Sequence, residues 1–71
     1  MKYKIIKETL FNNDIGYYES FGIESEYGEK VSDISVDKDF VKKLVNHINL
    51  KVVPFKYIYY EIEEFFEREG I

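Results

Sequence analysis

Apolar side chains in this chain recur at about every second position as far as Ser35 and at every third or fourth position beyond Asp37. That one change of period restricts it to a small sheet followed by helices. The stretches Tyr3 to Phe11 and Tyr17 to Ser25 are rich in aromatic and β-branched residues. They flank Asn12-Asn13-Asp14-Ile15-Gly16, a cluster that tolerates positive φ, so the pair predicts a β-hairpin with a short loop. In the second strand Tyr17, Glu19, Phe21 and Ile23 share one face, and Phe21 with Ile23 marks it as the core side. The first strand is less one-sided: Tyr3, Ile5 and Phe11 lie on one face, Ile6 and Leu10 on the other. A turn at Tyr27-Gly28-Glu29 then leads into a third, shorter strand, Lys30 to Ser35.

Asp37 is placed to cap a helix by accepting from its first free amides, with Asp39 adding negative charge at the positive end of the dipole. Phe40, Val41, Leu44, Val45 and Ile48 line one side of that helix, and Lys38, Lys42 and Asn46 the other. It is expected to stop near Asn49. Leu50-Lys51-Val52-Val53 reads as an extended connector, because the residue before a proline is pushed away from helical geometry. Pro54 suits the first position of a second helix, and Gly70 its C-terminal cap. The order β-β-β-α-α predicts an α+β fold in two layers, a three-stranded antiparallel sheet covered on one face by both helices, as a single domain spanning residues 1–71.

A chain of 71 residues without cysteine has no thiol staple and must bury a dense core. Seven tyrosines and six phenylalanines meet that need, since aromatic rings bury much area for little chain entropy. The absence of cysteine favours a reducing cytoplasm. No stretch approaches the roughly 18 to 20 apolar residues that cross a bilayer, and Met1-Lys2-Tyr3-Lys4-Ile5-Ile6-Lys7 lacks the apolar run of a signal peptide. No membrane association is expected.

Catalytic chemistry finds little support. The single histidine, His47, falls at the border of an apolar stripe near a helix end, and the serines sit outside any nucleophile-elbow pattern. The pairs Glu63/Glu67 and Glu61/Glu64 have helical spacing but are assigned to a solvated face, where neither carboxyl would be raised towards acid-base duty. Asp33, Asp37 and Asp39 match no calcium loop, and no glycine-rich phosphate loop is present. The expectation is a protein that is not an enzyme and takes no cofactor and no metal. Lys38, Lys42, Lys43 and Lys51 make the middle of the chain locally basic. Fourteen acids and an isoelectric point near 4.9 nevertheless disfavour direct binding of nucleic acid.

The segment Pro54 to Glu69 holds the strongest hint of a contact surface. At 100° per residue Phe55, Ile58, Tyr59, Ile62, Phe65 and Phe66 fall in a stripe about 120° wide that should face the core. Tyr57, Tyr60, Glu61, Glu63, Glu64 and Glu67 fall opposite. Tyrosines among glutamates on a solvated helix are unusual, and tyrosine is enriched at interface hot spots. Tyr57, Tyr60, Glu61, Glu64 and Glu67 are therefore the candidate site for a protein partner with a basic surface. Such a chain would act by occupying that surface, for instance as an inhibitor mimicking nucleic acid. The alternative is a structural homodimer through the open face of the sheet, where Tyr18 lies with Ile6 and Leu10 or with the other strand-one face, Tyr3, Ile5 and Phe11.

Three short motifs, Phe21-Gly22-Ile23, Asp33-Ile34-Ser35 ahead of Asp37, and Pro54 followed by Ile62-Glu63-Glu64-Phe65, resemble a family of small Firmicute proteins known as a domain of unknown function. That family's pattern is an aromatic-Gly-Ile strand, an Asp-Ile-Ser turn into a helix, and a proline followed by a helix ending in Ile-Glu-Asp-Phe. The resemblance implies a Gram-positive cytoplasmic or phage-borne setting and transfers no active site.

Overall fold

The structure, a computed structural model, describes residues 2–69. Three antiparallel strands, β1 (Tyr3–Asn12), β2 (Gly16–Ser25) and β3 (Lys30–Ser35), lie in the order β1-β2-β3. Helix α1 (Lys38–Leu50), one 3-10 turn (Phe55–Tyr57) and helix α2 (Ile58–Arg68) follow. This is the α+β arrangement read from the sequence.

The hairpin closes by pairing Asn12 with Gly16 around a three-residue loop. Gly16 takes φ +83°, the left-handed conformation that lets such a loop return into a ladder, and Asn12 Oδ1 accepts from the Asp14 N–H at 2.8 Å. Pairing between β1 and β2 is regular throughout, whereas β3 is bulged between its pairings at Ile23–Val31 and Phe21–Ser35. Asp33, inside the bulge, takes φ 54°. Gly22 makes the bulge possible: a Cβ there would run into the Val31 carbonyl oxygen, so only glycine lets β3 approach β2 this closely.

The open face of the sheet is accordingly less apolar than its sequence suggested. Ile6, Leu10 and Tyr18 are half-buried, and a polar network runs beside them. Glu8 reaches from β1 across β2, accepting from Ser32 Oγ at 2.7 Å and from the Asp33 N–H at 3.0 Å. The Asp33 carboxylate accepts in turn from Ser20 Oγ at 2.6 Å and the Tyr18 hydroxyl at 3.0 Å. The bond to Asp33 is the main reason the Tyr18 phenol titrates above its ordinary value.

On the other face α1 approaches all three strands, while α2 lies against α1. The predicted cap holds: Asp37 Oδ1 accepts from the Asp39 and Phe40 amides at 3.0 and 3.3 Å. Phe40, Val41, Leu44 and Ile48 are buried against Tyr3, Ile23 and Val31 of the sheet. Between the helices, the Phe40 ring stacks on Phe66 with centroids 4.9 Å apart and meets Phe65 at 5.3 Å. α1 is thus the main cover of the sheet, where both helices were expected to share it.

The connector between the helices departs from the extended reading. Leu50 is still helical, and Lys51 follows in helical geometry. Val52 then turns left-handed at φ 55°. Its N–H donates to the Asn49 carbonyl at 3.2 Å and the Val53 N–H to the Ile48 carbonyl at 3.2 Å. That pair of bonds is a Schellman ending, with valine at the position glycine normally occupies. Pro54 stays extended at ψ 150° and precedes a 3-10 turn, so the α-helix proper begins at Ile58. The cap expected at Gly70 lies outside the described residues.

Candidate protein-binding face

The residues that orient α2 come from the turn before it. The Schellman ending throws Val53 inward, where its carbonyl accepts from the buried Tyr3 hydroxyl at 2.8 Å. It also aims Lys51 back along the start of α2. Lys51 Nζ donates to both oxygens of Glu61, at 2.9 and 3.1 Å. His47, one turn earlier on α1, brings Nε2 to 3.5 Å from Glu61 Oε2 without a hydrogen bond, its ring resting on Phe65 at 5.2 Å. Glu61 is only 8% exposed. The Lys51 hydrogen bond holds its carboxyl below the ordinary glutamate value despite the opposing effect of burial.

This corrects the sequence reading at two positions. Glu61, assigned to the water-facing side and to the partner site, points inward and joins the helices. Tyr59, assigned to the core stripe, is 63% exposed. Both follow from one cause: the buried side of α2 is turned by roughly 50° about the helix axis from the azimuth its apolar residues alone define. Rotation gives Glu61 its cationic partner, and with the carboxylate now in the interface the loss of that partner would cost far more than exposing a phenol ring.

The outward face is therefore redrawn. Tyr59, Tyr60, Glu63 and Glu67 lie within about 100° of one another and are exposed, as is Lys56. Tyr57, 53% exposed, flanks them, its ring beneath Lys56 Nζ at 5.1 Å from the centroid. Glu64 is half-buried at the same border. Of the predicted site residues, Tyr60 and Glu67 sit in the face, Tyr57 and Glu64 at its rim, and Glu61 beneath it. Tyr59 is the member that sequence reasoning missed. The one signal for it was Lys51, a cation within reach of α2 only if the connector turns back on itself.

Elsewhere, a shallow cleft of about 310 Å³ is lined by Lys2, Lys4, Glu24, Ser25, Glu26 and Gly28. Its buried hydroxyl, Ser25 Oγ, is already occupied by the Tyr27 and Glu29 amides at 3.2 Å each. The carboxylates of Glu8 and Asp33 have their donors within the sheet. Among the described residues no group of three or more histidine, aspartate or glutamate side chains is arranged to hold a metal ion, and no helix is long and apolar enough to cross a membrane. Comparison with protein-family models, with curated proteins and with solved structures finds no match to the chain.

Proposed function

We propose that this chain is a non-catalytic binding module that docks on a basic protein surface through the outer face of α2. The carrying observation is the exposure of three tyrosines at the start of α2, Tyr57 at 53% and Tyr59 and Tyr60 at 63% each, ahead of a helix whose other side is fixed by the ion pair of the buried Glu61 with Lys51 and by stacked aromatics. Rigid phenol rings bind with little loss of conformational freedom. Glu63 and Glu67 between them add a negative field that steers encounter with cations and carries no apolar area of its own. Residues 54–71 hold five acids against two bases, so the face stays acidic as a whole.

The test is capture of a partner from host lysate by the immobilised domain, compared with Tyr59→Ala/Tyr60→Ala. The double variant should lose the captured species while melting within about 1 °C of the parent, and capture by the parent should weaken as salt rises. Equal capture by both proteins would end the proposal.

A further inference from the structure

The outer edge of β1 is sealed at one end and open along the rest. In an antiparallel ladder successive residues aim their backbone N–H and C=O alternately at the neighbouring strand and away from it. Tyr3 aims away: its N–H donates to Asn49 Oδ1 at 2.8 Å, and its carbonyl accepts from Asn49 Nδ2 at 3.0 Å. The side-chain amide of α1 thus fills the place of a neighbouring strand for one residue. Because the register with β2 is unbroken from Tyr3 to Asn12, Ile5, Lys7, Thr9 and Phe11 also aim their backbone groups outward. β1 is a terminal strand, and among the described residues nothing reaches these four as Asn49 reaches Tyr3.

We propose that this edge receives a second copy of the chain, with the two β1 strands antiparallel in a six-stranded sheet. The Asn49 cap dictates the register. The open stretch from Ile5 to Phe11 is centred on Glu8, so a two-fold pairing that uses every open position sets Ile5 against Phe11 and Lys7 against Thr9 of the second copy. A register centred on Lys7 would oppose two lysines and drive Phe11 into Asn49. The chosen register is self-complementary. Ile6 meets Leu10 on the open face, and Phe11, 60% exposed in the single chain, gains Ile5 as a neighbour. Lys4 meets Asn12, and Lys2 beyond it comes to the loop carrying Asp14, giving opposite charges at both ends. The two Glu8 side chains share the axis, but each carboxylate is already drawn across its own sheet to Ser32 and the Asp33 N–H. Four paired positions on each copy exchange roughly eight backbone hydrogen bonds, and a two-fold contact of this kind closes at the dimer.

Thr9→Pro tests the pairing, because among the described residues nothing accepts from the Thr9 N–H, so its loss removes only the shared bonds. By sedimentation equilibrium from micromolar to millimolar protein, the parent should pass reversibly from monomer to dimer and the variant should dimerise at least tenfold more weakly. In the parent, amide exchange at Lys7, Thr9 and Phe11 should slow as concentration rises, a reading that stands even if the variant folds poorly. A parent that stays monomeric to millimolar concentration overturns the proposal. So does a dimer whose three amides exchange as fast as in the monomer, since it would be joined elsewhere. The α2 tyrosines take no part in this edge, so its failure leaves their role untouched.

Discussion

α1 and α2 are both short amphipathic helices, yet only one sits where its apolar residues point. α1 begins at a side-chain cap and buries Phe40, Val41, Leu44 and Ile48, the stripe its period defines. α2 enters through a 3-10 turn with no side-chain cap, and its buried set, Ile58, Glu61, Ile62 and Phe65, includes a carboxylate. The difference teaches that apolar period fixes the existence of a helix, while its azimuth is fixed by whichever contact is most costly to break. For α1 that contact is aliphatic. For α2 it is the ion pair from Lys51 to Glu61.

The largest expected effect falls on the apolar side of this contrast. Leu44 is fully buried between α1 and the sheet, so Leu44→Ala should cost about 2 to 5 kcal/mol, through lost burial and the cavity left behind. In a domain this small that lowers Tm by roughly 13 to 34 °C. Denaturation that shifted by less than a few degrees would mean that α1 is not the main cover of the sheet.

Glu61→Gln probes the other side. Lys51 is half-exposed and partly screened by water, so the loss should be about 1 to 2 kcal/mol. The pH dependence is more specific. A carboxyl held below its ordinary value in the folded state contributes fully above the unfolded pKa, and that contribution disappears as pH falls through the lower folded value. The parent should therefore lose stability as pH drops below the ordinary glutamate range. The glutamine variant should show a shallower acid limb, measured by melting at pH 7 and at successively lower pH. Parallel limbs would remove the ion pair as the contact that orients α2.

The same contrast explains what was legible in the sequence. The three strands, the Asp37 cap and the α1 stripe are each encoded within a few consecutive residues, by alternation, by a side chain able to accept from the next two amides, or by spacing of three and four. The position of Glu61 is encoded ten residues away, in Lys51, and becomes readable only once Val52 is known to turn left-handed. Valine is among the residues least suited to that conformation, so local preference pointed to an extended connector. The bulge in β3 is similar: Gly22 and Glu8 make it possible from β2 and β1, while nothing in Lys30 to Ser35 alone requires it. Of the candidate site, Tyr60 and Glu67 were legible because they lie on the outer side at either azimuth, and Tyr59 was not.

Val52→Gly tests whether the junction is set by the helix ending or by the valine itself. The side chain is 61% exposed, so little burial is lost, and glycine removes the steric penalty of φ 55°. A gain of about 1 kcal/mol is expected at unchanged fold, net of the added entropy of glycine in the unfolded chain. A loss of stability would show that the connector needs valine's stiffness to hold Lys51 against α2.

The smallest expected effect is the sharpest arbiter between the two azimuths. If α2 sat where its apolar stripe points, Tyr59 would be a core aromatic and Tyr59→Ala would cost about 3 to 5 kcal/mol, as large aromatic truncations do. In the observed orientation its ring is 63% exposed and stands edge-on to Phe55 with centroids 6.5 Å apart. The change should therefore stay within about 0.5 kcal/mol of neutral. Glu61→Ala reverses the expectation, since the outward reading makes it neutral while the observed one leaves Lys51 without its carboxylate. Measuring both variants by denaturant unfolding separates the azimuths without reference to any partner, because each geometry requires one of the two residues to be silent and the other to be costly.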